Sequence, residues 1–152
     1  MSIEDDAVEV RTQGWRTLAA LHGLVDAELE RALQSTVSLS AVEYTVLDAL
    51  SRQQGWHMRM QQLARATALS PSATTRLVNR LEDRNLLTRI LCADDRRGIY
   101  TELTAPGAEL LAQARPVYNE ALGRALDDAS ELPELAPLVD ALPHLLRTPE
   151  HA

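Results

Sequence analysis

A chain of 152 residues, 45% hydrophobic and 24% charged, has the make-up of an ordinary globular protein and is long enough to bury roughly 70% of its unfolded surface without a partner. No apolar run approaches the roughly 18–20 residues that cross a bilayer, and the acidic start MSIEDDAVEV lacks the basic and apolar regions of a signal peptide. The single cysteine, Cys92, excludes an intrachain disulfide framework and fits a reducing, cytoplasmic setting, while a net charge of −7 argues at first against an anionic partner.

In chain order, residues from about Glu4 to Gln34 contain no proline and place Leu18, Leu21, Val25, Leu29 and Ala32 at helical spacing. So long a helix needs something to pack against. Ser40, with Glu43 three residues on, has the capping-box pattern and opens a second helix to about Arg52, striped by Val42, Val46, Leu47 and Leu50. QQGW breaks that helix, HMRM reads as a small strand, and Met60–Ala66 as a third helix with Leu63 and Ala64 inward. Ser70 is an N-cap with Pro71 at the first helical position, where a missing N–H costs nothing. The fourth helix then buries Leu77, Val78 and Leu81 and leaves Arg76, Asn79 and Arg80 near the other side.

Leu87–Cys92 and Ile99–Thr104 flank a charged turn ending in Gly98 and read as a hairpin. Thr104 caps a helix from Ala105 to about Asp127, with Pro116 expected to bend it. A last helix is expected over about Pro133–Leu146, shortened or made irregular by Pro137 and Pro143. This order predicts a mainly α protein with a small β-hairpin wing: a winged helix-turn-helix over residues 37–104, flanked by helical regions at 1–36 and 105–152.

The charge is unevenly spread. Between His57 and Thr101 stand eight arginines against four acids, a local balance of +4 that leaves −11 elsewhere. A basic middle between acidic ends points to a localised anion-binding face. The second helix of a helix-turn-helix presents its N-terminal end to base edges. Ser70, Ser72, Thr74 and Thr75 supply hydroxyls there, Arg76 has the reach for a guanine edge or a phosphate, and Asn79 and Arg80 lie one turn on, toward the backbone. In the turn ADDRRG, Arg97 is suited to the negative potential of a narrow minor groove. Asp95 is placed to orient it, and Arg96 is left for phosphate. Taken singly, the helix residues fit a cap and a solvated face equally well, and a charged turn such as ADDRRG is more often an ordinary hairpin turn.

Together they make a specific pattern. The run L-S-x-S-x-x-T-R-L-V-x-R-L-E, followed by D-R-R-G and L-T, resembles the MarR family of bacterial transcriptional regulators, and the flanking helices match in order along nearly the whole chain. The resemblance implies a homodimer built by the N- and C-terminal helices. It implies two winged domains on a palindromic double-stranded operator, with DNA binding weakened in many members by a small aromatic or phenolic ligand. It places groove contacts on Ser70, Ser72, Thr75, Arg76 and Arg80, and the wing contact on Arg97 with Asp95. The strand before the wing departs from the pattern: Ile90, Leu91, Cys92 and Ala93 stand where many members are basic, so fewer phosphate contacts are expected from it.

Trp15, His22, Tyr44, Asp48, Trp56 and Tyr100 are candidates to line an effector pocket, although aromatic residues more often fill a core or an interface. Cys92 reads as a small hydrophobe rather than a redox sensor. His22, His57, His144 and His151 have no metal-ligand spacing, so neither a metal nor a cofactor is expected. No nucleophile with a base and no phosphate-cradling glycine loop marks an enzyme. The competing reading is a winged-helix module for protein–protein assembly.

Overall fold

The structure, a computed structural model, describes residues 3–91 and 98–146. Helix α1 runs Ile3–Val37 and α2 runs Ala41–Ser51. The α2 cap is the expected capping box: the Glu43 N–H donates to Ser40 Oγ at 3.0 Å, and the Ser40 N–H donates to Glu43 Oε1 at 2.9 Å. Strand β1 (His57–Arg59) follows a single 3-10 turn at Gln54–Trp56, then α3 (Met60–Thr67) and α4 (Pro71–Asp83). Ala68, in the left-handed region at φ 55, turns α3 into α4. The α4 N-terminus is capped by Ser70 Oγ, which accepts from the Ala73 N–H at 3.2 Å, with Pro71 in the first turn.

Strands β2 (Leu87–Leu91) and β3 (Ile99–Leu103) pair antiparallel, with Leu87 opposite Leu103 and Leu91 opposite Ile99. β1 joins the free edge of β3, giving the order β1-β3-β2. The wing is therefore the outer part of a three-stranded sheet. Helix α5 runs Ala105–Ser130, opened by Thr104, whose Oγ1 accepts from the Gly107 N–H at 3.0 Å. The last helix, α6, is shorter than the expected Pro133–Leu146: it covers Ala136–Ala141, and a 3-10 turn at Leu142–His144 follows. Pro137 sits in its first turn, where proline is tolerated. Pro143 removes a backbone donor and ends the α-helical ladder.

The chain divides into two compact units, Met1–Arg31 with Asn119–Ala152, and Ala32–Tyr118. The first holds a small cluster of Leu21, Ala129 and Leu135, with Val25, Leu126, Leu138 and Val139 against it. The second holds the winged helix-turn-helix, where Leu39, Leu47, Leu50, Leu63, Leu77, Leu81 and Leu87 are fully buried. At roughly 1.5–3 kcal/mol for each buried leucine side chain, this core fixes α2, α3, α4 and the sheet relative to one another. The unit reaches into α5 as far as Tyr118 because α5 packs there through particular side chains. The Tyr118 ring stacks on Tyr44 with centroids 4.1 Å apart, and Arg115 reaches Asp48 at 3.3 Å.

Candidate nucleic-acid interface

Helix α4 sorts its residues by face. Thr74, Leu77, Val78 and Leu81 are buried and recur at i, i+3, i+4 and i+7. Ser70, Ser72, Thr75, Arg76, Asn79 and Arg80 are exposed, as the candidate contact surface requires. Thr74 leaves that set. It is 1% exposed, and its Oγ1 donates to the Ser70 carbonyl at 2.9 Å. The signal was present in the sequence, since Thr74 falls on the same stripe as the leucines. The remaining hydroxyls are held locally: Ser70 and Ser72 Oγ atoms lie 3.3 Å apart, and Thr75 Oγ1 donates to the Pro71 carbonyl at 3.0 Å.

The arginines of the basic window divide into two kinds. Arg84 and Arg89 are turned to acids of their own chain. Arg84 Nη1 lies 3.4 Å from Glu43 Oε2, where Glu43 is only 8% exposed. Glu82 receives the Arg89 backbone N–H at 3.0 Å and lies 3.9 Å from its Nε. These pairs tie the end of α4 to α2 and to β2. Arg65, Arg76 and Arg80 are exposed on α3 and α4. Asp95, Arg96 and Arg97, and with them Cys92, lie outside the described residues.

The base of the wing is fixed to the end of α4 by an unusually close approach. Asn85, in the left-handed region at φ 60, ends the helix, and its carbonyl accepts from Thr104 Oγ1 at 2.7 Å. The first turn of α5 lies so near this corner that a Cβ on Gly107 would sit 2.0 Å from the Leu86 carbonyl oxygen. Between the start of α3, α4 and the root of the wing lies a cleft of about 480 Å³, whose lining includes Arg59, Gln61, Thr75 and Arg89. Arg59, missed in the sequence, donates from Nε to Tyr100 Oη at 2.9 Å, and its guanidinium carbon is 5.4 Å from the Tyr100 ring centroid.

The six candidate effector residues fall in different places. Tyr44 and Asp48 share a network on α2, in which Asp48 takes Arg52 Nε at 2.8 Å and Arg115 Nη2 at 3.3 Å. Arg115 Nη2 also donates to Ser51 Oγ at 2.8 Å. Burial, and next the nearby Asp48 carboxylate, raise the Tyr44 phenol above its usual 10.0. Tyr100 stands apart with Arg59 and meets His57 edge-on, ring centroids 5.5 Å apart. Trp56 is 43% exposed beside Gly55, whose φ of 75 makes the turn. Trp15, 71% exposed, and His22 belong to the other unit. Arg115 and Tyr118 were not legible as partners of Tyr44 and Asp48, because α5 is distant from α2 in sequence. Among the described residues no group of three His, Cys, Asp or Glu side chains is placed to hold a metal, and no helix is long and apolar enough to cross a membrane.

Two helices joined by a tight turn, the second exposing arginines and hydroxyls, beside an antiparallel wing, define a winged helix-turn-helix protein. The family model for the MarR family matches residues 37–98. The chain is similar along its length to AbsC, a MarR family transcriptional regulator from Streptomyces coelicolor. The two share 31% identity over 93% of this chain and 91% of that one, with a TM-score of 0.72. It belongs to the MarR family of transcriptional regulators. Two further structures resemble it at 25% identity and a TM-score of 0.71: Sco3205 from the same organism, solved in complex with DNA (100% of this chain, 94% of that one), and BldR from Sulfolobus solfataricus (95% and 99%).

Proposed function

We propose that the protein is a cytoplasmic, sequence-specific DNA-binding regulator and not an enzyme, acting as a homodimer on a palindromic operator, more in the manner of a repressor than an activator. The observation that carries this reading is α4, which buries one apolar stripe and turns Ser70, Ser72, Thr75, Arg76, Asn79 and Arg80 to solvent beside the wing. Arg76 is assigned to base edges, Asn79 and Arg80 to the backbone, and Arg97, oriented by Asp95, to the minor groove. Support comes also from Sco3205, the relative solved with DNA.

Dimerisation is supported by apolar surface on the first unit. Leu24 and Leu132 are exposed on a groove of about 260 Å³ that also includes Ala125 and Ala129, and Leu142, Leu145 and Leu146 are exposed beyond α6. A second copy covering such a surface removes it from water. Two recognition helices about 34 Å apart would then read adjacent half-sites on one face of the duplex. A small aromatic or phenolic effector that releases the operator is part of the same proposal, with Tyr44, Asp48, Trp56, Tyr100, Trp15 and His22 the residues to test. The deciding experiment is selection of bound fragments from random duplex DNA. Enrichment of one inverted repeat is expected. Recovery of no preferred sequence would favour a protein-assembly role for the winged domain.

A further inference from the structure

We propose that Arg65, on the outer face of α3, seats a phosphate of the DNA backbone beside the leading end of the recognition helix. The inference rests on the DNA-binding reading above and adds to it a contact on neither α4 nor the wing. A helix that enters a groove by its N-terminal end brings the helix before it across the strand that bounds the groove. Arg65 is placed for that strand. A hollow of about 480 Å³ lies at the turn from α3 to α4, lined by Gln61, Ala64, Arg65, Ala68, Leu69 and Pro71. Gln61 also lines the cleft that includes Thr75, so the hollow continues toward the exposed side of α4.

The chemistry of the hollow suits an anion. Residues 49–81 hold five arginines and no acid, although the chain as a whole is acidic. Of those arginines, Arg52 is turned to Asp48 at 2.8 Å, and Arg76 and Arg80 stand on α4. Arg65 is exposed in the last turn of α3, and among the described residues no carboxylate is paired with it. Of the residues that line the hollow, it alone is charged. The end of α4 has little of its own to offer a phosphate. Pro71 has no N–H, the Ala73 N–H donates to Ser70 Oγ, and the Thr74 N–H donates to the Ser70 carbonyl. A phosphate held there needs a side-chain donor, and a guanidinium supplies several in one plane. Ala64 and Ala68 beside it are small, which keeps the hollow open to a backbone strand.

The test compares the full chain with Arg65→Ala and Arg65→Lys on the selected operator, on a random duplex of equal length, and on operators in which single phosphates are replaced by uncharged methylphosphonates. Arg65→Ala is expected to weaken both natural duplexes by the same factor, on the order of tenfold. Its urea midpoint should not move, since the side chain is exposed. Arg65→Lys keeps the charge and recovers part of the loss. At one methylphosphonate position the wild-type chain should lose affinity and Arg65→Ala should not, while Arg76→Ala and Arg80→Ala stay sensitive there. Arg11→Ala, on α1 and outside the winged unit, makes the same change in net charge and should bind as the wild type does. Wild-type affinity in Arg65→Ala would overturn the assignment, as would an equal loss in Arg11→Ala. So would sensitivity in Arg65→Ala at every position the wild-type chain feels, or a loss confined to the operator, which would put Arg65 on a base. Failure of the wild-type chain to bind any duplex is a different result, and it removes the DNA-binding reading itself.

Discussion

Gly107 shows how tightly single residues hold the wing to the rest of the winged domain. A methyl group at this position would lie 2.0 Å from the Leu86 carbonyl oxygen, a backbone atom that cannot rotate away. The same corner carries the Thr104 cap and the left-handed Asn85, so strain there has no soft outlet. Gly107→Ala is expected to lower unfolding free energy by about 1–3 kcal/mol, measured by urea denaturation, despite alanine's better helix propensity. Wild-type stability in that variant would mean that the first turn of α5 does not approach Leu86 so closely. A second lesson at this scale concerns charge. Arg84 and Arg89 look available for DNA in the sequence, yet each faces a carboxylate of its own chain, which places them in the frame of the domain.

Among the elements, what the sequence made legible was local. The Ser40 and Ser70 caps, the proline that opens α4, the stripe of Leu77, Val78 and Leu81, and the Thr104 cap all depend on neighbours within about a turn, and all stand in the structure. What stayed hidden depends on pairs far apart along the chain. Glu43 with Arg84, and Arg59 with Tyr100, are each separated by 41 residues, a spacing that no periodicity reports. Thr74 was misplaced for a different reason: as a hydroxyl residue it suited a DNA contact, while its position on the apolar stripe decided its burial. The departure noted before the wing also has a physical form, since Leu91 is 80% exposed at the end of β2 where a cation would serve phosphate binding. Helix α4 and the wing then differ in what they should contribute. Arg76→Ala is expected to cost about 1–3 kcal/mol at the base it contacts and to relax specificity there. Arg97→Ala should weaken every duplex alike. Affinities for a panel of single-base operator variants separate the two, and a uniform loss in both would put Arg76 on a phosphate.

For the whole molecule, a net charge of −7 contrasts with a basic window of +4, and the proposed DNA binding turns on that contrast. Under the proposed DNA-binding reading, the acidic remainder would repel the polyanion except where the arginines are presented, favouring one docking orientation over many. Under the proposed assignments, neutralising charges are confined to a few places on each chain, chiefly Arg76, Arg80, Arg96 and Arg97. Four such contacts per chain, and eight in the proposed homodimer, would release a defined number of counterions. The most direct test of DNA binding by this face is therefore the dependence of log affinity on log salt concentration for the selected operator. The expected slope is near −7, from about 0.9 per neutralised phosphate. A slope near zero on the tightest-bound duplex would contradict binding through the arginine face.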